Sequence, residues 1–270
     1  MTSEYNDSQQ TNEQPPLRNE FASKRVVKRD FWLIPAYVGF NMVLIVMLLS
    51  ITMRTLTYFF GPMPENEFKR SLLSWGQIYT LMGQCLILLL FYLMHKKTII
   101  PLAIQRFKDL KKHIVLIIVV LVAMYVLQGI YGWFIELLPE KYQFDDTANN
   151  KAIEQLFTVK WIWPILFLDI VIVTPIVEEL LFRHLIIHEL GKKLTYVAMY
   201  IVSVLIFAGL HVLGVGASSP FEIGPYLIMA TGFVVAYHFS GRNLATTITL
   251  HMINNFVSFI AIIVPIIAGK

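Results

Sequence analysis

Only one cysteine, Cys85, occurs in the 270 residues, and it lies inside an apolar stretch. An intramolecular disulfide and a cysteine-ligated metal cluster are therefore excluded, and cysteine usage says nothing about redox compartment. Charge is scarce as well: Asp, Glu, Lys and Arg make up 15% of the chain against 56% hydrophobic residues. Soluble domains carry about 25% charged residues, so a water-soluble core is not to be expected. The apolar runs are long and do not alternate with polar residues, which excludes a transmembrane barrel. An internal repeat of the kind that builds two-half transporters is also missing. The net charge of +4 does not point to nucleic acid, because the Lys and Arg residues sit mainly in short loops between apolar segments.

What remains is the pattern of an all-α, polytopic transmembrane helix bundle. Residues 1–30 are polar, contain Pro15 and Pro16, and read as a disordered tail that has no hydrophobic face to bury. The tail closes with Lys24, Arg25, Lys28 and Arg29 before an apolar run from Phe31 to about Met53, too long for a cleavable signal core. Residues 31–270 form the membrane domain. Six further spans are expected from Trp75 to Met94, Ile114 to Leu138, Val159 to Leu190, Leu194 to Leu213, Gly224 to Phe239 and Leu244 to Ala268. The fourth of the seven is too long for one straight crossing, and Pro175 inside it predicts a kink or break, with room for an eighth span or a re-entrant piece. Basic residues cluster in the loops after spans two, four and six, whereas Glu140, Asp145, Asp146, Glu154 and Glu222 lie in the alternate loops. By the positive-inside rule the N-terminus is cytoplasmic and the C-terminus outside.

Directly after Pro175, three charges interrupt the fourth span: Glu178, Glu179 and Arg183. Unpaired, they would cost ~8 to 10 kcal/mol at the centre of a bilayer. Glu179 and Arg183 are four residues apart and share a helix face, so they can pair, and Glu178, rotated by ~100°, is the carboxylate left for chemistry. His211 ends the fifth span, and His251 and Asn255 share one face of the seventh. A carboxylate, a histidine and a His/Asn donor pair are the parts needed to activate a water and stabilise an oxyanion. Counted from the basic loops at 1.5 Å per residue, Glu178, His211 and His251 lie ~21, ~27 and ~14 Å deep; helix tilt and loops that start below the surface could bring them together near the midplane, which this count does not itself establish. Glu178, His211 and His251 could alternatively serve as zinc ligands.

Other polar residues in the spans read more plainly. Asp169 suits a hydrogen bond to a neighbouring helix. His184 and His188, spaced like a zinc-binding pair and followed by Glu189, suit an interfacial position beside Lys192 and Lys193, as does His238 before Arg242.

The three motifs resemble the signature of the CAAX prenyl protease type II and bacteriocin-processing (CPBP, or Abi) family of intramembrane proteases. That signature is Glu-Glu-x-x-x-Arg, then Phe-x-x-x-His, then His-x-x-x-Asn, matched in order by Glu178 to Arg183, Phe207 to His211, and His251 to Asn255. The resemblance covers about residues 159 to 260. It implies that Glu178 acts with His211 as general base on a water, that His251 and Asn255 hold the oxyanion, and that Glu179, Arg183 and Phe207 support the site. It also implies an endopeptidase of the plasma membrane, without cofactor, acting on a peptide or membrane-protein substrate in the bilayer. The rival expectations are a zinc-dependent intramembrane metalloprotease and a non-enzymatic membrane protein, either an immunity factor or a scaffold.

Overall fold

The computed structural model describes residues 20–214 and 216–269, and among these there is helix nearly throughout and no strand. The chain begins with α1 (Lys28–Phe60) and α2 (Glu65–His95), followed by the short α3 (Ile99–Lys108) and by α4 (Ile114–Glu136). A polar segment carrying α5 (Ala148–Leu156) leads into α6, a helical run over 163–189 in which α and π turns alternate. Then come α7 (Tyr196–Leu213), α8 (Ile223–Phe239) and α9 (Leu244–Ile267). Helices α1, α2, α4, α7 and α9 are long and apolar enough to cross a membrane. The other two expected spans fall on α6 and on α8, whose 17 residues are short of the ~20 that cross the hydrocarbon.

Surface and interior are inverted relative to a soluble protein. Val115, Trp133, Val197 and Leu213 are more than half exposed, whereas Asp30, Glu179, Arg183 and Glu189 are fully buried. Lipid satisfies the first group and only protein can satisfy the second. The chain is a multi-pass membrane protein.

In lipid, helices associate through close packing and hydrogen bonds rather than by hiding from water. Helix α8 lies between α4 and α7, and α6 packs against α7 and α9. Phe182, Phe207, Phe233 and Leu250 share one cluster with Ile117, Val120 and Met124 of α4. Small residues set the approach of α4 to α8: a Cβ on Gly224 would lie 2.1 Å from Cζ of Tyr131. The Tyr131 hydroxyl donates to the carbonyl of Phe221 at 2.7 Å, so the ring is not free to leave. Gly224→Ala is expected to destabilise the fold by about 1–3 kcal/mol through overpacking. A lower thermal midpoint in detergent, recovered in Gly224→Ala/Tyr131→Ala, is the check.

Proline chemistry shapes α6. The break expected at Pro175 takes the form of wide turns: residues Phe167–Val173 and Leu180–Glu189 are π-helical around a short α segment, Thr174–Glu179. Pro175 has no N–H to give to the carbonyl five residues back, that of Ile170. Asn255 of α9 supplies the missing donor, its Nδ2 lying 2.9 Å from the Ile170 oxygen.

The polar tail expected over 1–30 needs correction at its end. Residues 1–19 lie outside the described residues, but from Phe21 to Asp30 the chain is packed as a strap against α2 and α6. Asp30, read as part of a featureless tail, is buried and accepts hydrogen bonds from Nε2 of His95 and Nε2 of His184, each at 2.7 Å. The Arg29 guanidinium donates to Nδ1 of His95 at 2.9 Å, which leaves Nε2 as the protonated nitrogen facing Asp30. Glu189 accepts from the Val27 N–H, His188 donates to the Phe21 carbonyl, and Phe21 stacks among Phe91, His95 and His184. His184 is thus buried within the protein, because the strap covers it.

Removing the carboxylate in Asp30→Ala leaves two buried imidazoles without their acceptor, at about 1.5–3 kcal/mol per charged hydrogen bond. The strap is expected to open locally, and trypsin is expected to cut at Arg25, Lys28 and Arg29 at least roughly tenfold faster than in the wild type, with the bundle still folded. Unchanged cleavage would mean that Asp30 does not hold the strap.

Candidate active site

Helix α6 presents its residues to opposite sides. Glu178 faces a polar cavity of about 580 Å3, while Glu179 and Arg183 point into the protein. The cavity is also lined by His211 of α7 and by His251 and Asn255 of α9. The residues expected to act together therefore share one space, although their depths counted along the chain differ.

The Glu179 carboxylate is the hub. Its Oε1 accepts from Nη1 of Arg183 at 3.0 Å and from Nδ1 of His251 at 3.0 Å. With Nδ1 of His251 carrying that proton, its other nitrogen, Nε2, is turned toward Oε2 of Glu178 at 3.7 Å. Glu179 thus orients a histidine as well as neutralising an arginine. Arg183 is sealed in place: its Nη2 donates to the Ala230 carbonyl at 3.3 Å, and its guanidinium lies 5.2 Å from the ring centroid of Phe207 and 5.3 Å from that of Phe233. Phe207 is fully buried between Arg183 and His211, so this motif residue is a spacer with a defined electrostatic face.

Nδ1 of His211 donates to the Phe207 carbonyl at 2.8 Å, and its ring stacks on Tyr226 at 4.8 Å. Donation from Nδ1 leaves Nε2 with its lone pair, able to accept from a water in the cavity. Oε2 of Glu178 has no hydrogen-bond partner among the described residues. An unpartnered carboxylate oxygen beside a polar cavity is placed to take a proton from water.

Two expectations change in detail. His251 and Asn255 do line the same cavity, but one N–H of Asn255 is used on the Ile170 carbonyl and its Oδ1 accepts from Asn254. Its amide has one further N–H. Of the alternative zinc ligands, Glu178 and His251 approach to 3.7 Å and His211 lines the same cavity, while among the described residues the trio whose ligand atoms all lie within 4.8 Å of one another is Asp30, His184 and Glu189. Asp30 and His184 are already bonded to each other, and Glu189 accepts from the Val27 N–H and from Lys192.

Several cavity residues were not legible as part of the site. Asp169 takes a hydrogen bond from Gln77 of α2, as its plain reading expected, and accepts another from Thr174 at 3.4 Å; Gln84 donates to Thr174 at 2.8 Å. Gln128, Asn149, Asn150 and Asn254 complete a wall of amides. Only a count of uncharged amides in apolar spans could have drawn attention to Gln77, Gln84 and Asn254. The segments before α5 and α8 are tied together by Glu222, which accepts from the backbone of Ala148 and Ser219 and from Ser218. Burial pushes its carboxyl up, yet those hydrogen bonds hold it below the usual glutamate range.

Comparison with known proteins agrees with the motif reading over this region. Residues 160–257 match the family model described as Type II CAAX prenyl endopeptidase Rce1-like. An uncharacterized protein of Mycoplasma capricolum subsp. capricolum is 28% identical over 200 residues, covering 70% of this chain and 57% of its own length. The chain thus spans little more than half the length of that relative. No solved structure matches.

Proposed function

From the place of residues 160–257 in the Rce1-like family of type II CAAX prenyl endopeptidases, we propose that the chain is an intramembrane endopeptidase that uses a glutamate-activated water. The observation that carries this reading is the shared cavity in which Glu178, His211, His251 and Asn255 meet. A water held by Nε2 of His211 gives a proton to Glu178 while its oxygen adds to the scissile carbonyl carbon. His251, with Nδ1–H held by Glu179 and a second proton on Nε2, and the remaining N–H of Asn255 stabilise the oxyanion that forms. Collapse of that intermediate breaks the C–N bond, and the proton returns from Glu178 to the leaving amine. Products are a free carboxylate and a free amine, and no cofactor enters.

The substrate is a peptide or membrane-protein segment that unwinds locally, since helical peptide bonds are shielded. Exposed peptide groups inside a bilayer need partners, and the amide wall of Gln77, Gln84, Gln128 and Asn254 offers them. The plasma membrane is the proposed location. Comparative peptidomics of cells carrying the wild type or Glu178→Ala is the test: fragments released only by the wild type, and still released after chelation by purified protein, support the reading. Identical peptide sets, with the cell's phenotype preserved in Glu178→Ala, would replace it by a binding role in immunity or scaffolding.

A further inference from the structure

A second cavity, of about 330 Å3, lies behind the active-site helix. Ile176 and Leu180 of α6 form one wall, so the helix that turns Glu178 into the polar cavity turns these two side chains into an apolar one. The strap residue Phe21 and α3 close the other sides. The volume is within the range of small-molecule sites. Its walls are almost entirely apolar, but its charged lining is of one sign: Arg106 and Arg242 line it, and among the described residues no Asp or Glu does.

Three details make this a built site. The side chain of Asn243 donates to the Arg106 carbonyl at 3.1 Å, which fastens the end of α3 to the turn between α8 and α9, so both arginine-bearing segments are tied together beside the cavity they line. Arg242 has a φ of +63°, a left-handed conformation that costs a side-chain-bearing residue free energy. Its guanidinium is fixed over the Tyr196 ring at 4.1 Å. Tyr237, only 2% exposed, lines the same cavity and feels both guanidinium groups electrostatically. No salt bridge neutralises Arg106 or Arg242 among the described residues.

Cationic groups lining an apolar pocket in a membrane protein complement one class of molecule, an anionic amphiphile. We propose that this cavity binds an anionic glycerophospholipid, with an acyl chain along Leu88, Ile100, Ile176 and Leu180 and the phosphate on Arg106 and Arg242. A free phosphate would leave the apolar walls unused, and a zwitterionic lipid would leave the arginine charge unbalanced. The site is independent of whether the chain is a protease.

Competitive retention of phosphatidylglycerol and phosphatidylcholine with identical acyl chains, read by native mass spectrometry of the full-length protein from detergent, tests the proposal. The wild type is expected to prefer phosphatidylglycerol by at least about tenfold. Arg106→Gln/Arg242→Gln is expected to bring the preference near unity, Lys141→Gln to leave it unchanged, and Ala103→Trp, which fills the cavity, to lower retention of both lipids. Equal retention by the wild type overturns the proposal, as does a preference that survives the double substitution or is abolished by inorganic phosphate. Should the double variant fail to fold, a photoactivatable phosphatidylglycerol on the unmodified protein decides: labelling of residues 99–107 and 242–248 supports the site, and labelling confined to other helices overturns it.

Discussion

Glu178→Gln is expected to reduce peptide-bond cleavage by about 10² to 10⁴-fold, the usual contribution of a general base. The substitution keeps size and hydrogen-bonding capacity but removes the group that takes the proton from water. Among the described residues Oε2 of Glu178 makes no hydrogen bond and meets His251 at 3.7 Å, a distance too long for one, so little packing rests on it. The thermal midpoint should therefore stay near that of the wild type, and the loss should fall on kcat with KM little changed. His211→Ala should lose activity by a similar route, since only Nε2 of that ring faces the cavity once Nδ1 is bonded to Phe207. A stably folded Glu178→Gln protein that cleaves like the wild type would remove the proposed mechanism.

Arg183→Met should show the opposite signature, a loss of stability. The substitution leaves the buried Glu179 carboxylate with His251 alone, and breaking a buried ion pair by removing one partner costs about 3–5 kcal/mol. It also strips the donor from the Ala230 carbonyl and the cation from between Phe207 and Phe233. Removing both charges in Glu179→Leu/Arg183→Met should recover much of the thermal midpoint, because no uncompensated charge then remains in the bundle. Activity should not recover with it, since His251 has lost the carboxylate that orients its Nδ1. Recovery of cleavage in the double variant would assign Glu179 a purely structural role.

These two signatures follow from a division that helical spacing already contained. An i, i+4 interval places Glu179 and Arg183 on one face and leaves Glu178 off it, and the structure keeps that division. The same interval placed His251 and Asn255 together, and both line the cavity. Spacing could not show that Glu179 reaches across to His251, because that bond joins α6 to α9 over 72 residues. Nor could it show that Asn255 repairs the carbonyl left bare by Pro175, a demand created only when α6 widens into π turns.

The end of the tail is hidden from the sequence for a related reason. Lys24 to Asp30 looks like a charged flank, and local composition offers Asp30 no reason to be buried. Its reason is two histidines, His95 and His184, brought within 2.7 Å by the packing of α2 against α6.

Taken alone, the sequence determined that the chain is helical and lies in a membrane, since long apolar runs admit no other arrangement of the backbone, and it determined which of three intramembrane charges is left unpaired. Tertiary structure alone decided that Glu178, His211 and His251 share one cavity, that a strap packs over His95 and His184, and that Arg106 and Arg242 line one apolar pocket. Periodicity carries information over one or two turns of a helix, whereas these groupings depend on tilt, π turns and contacts between helices far apart in the chain.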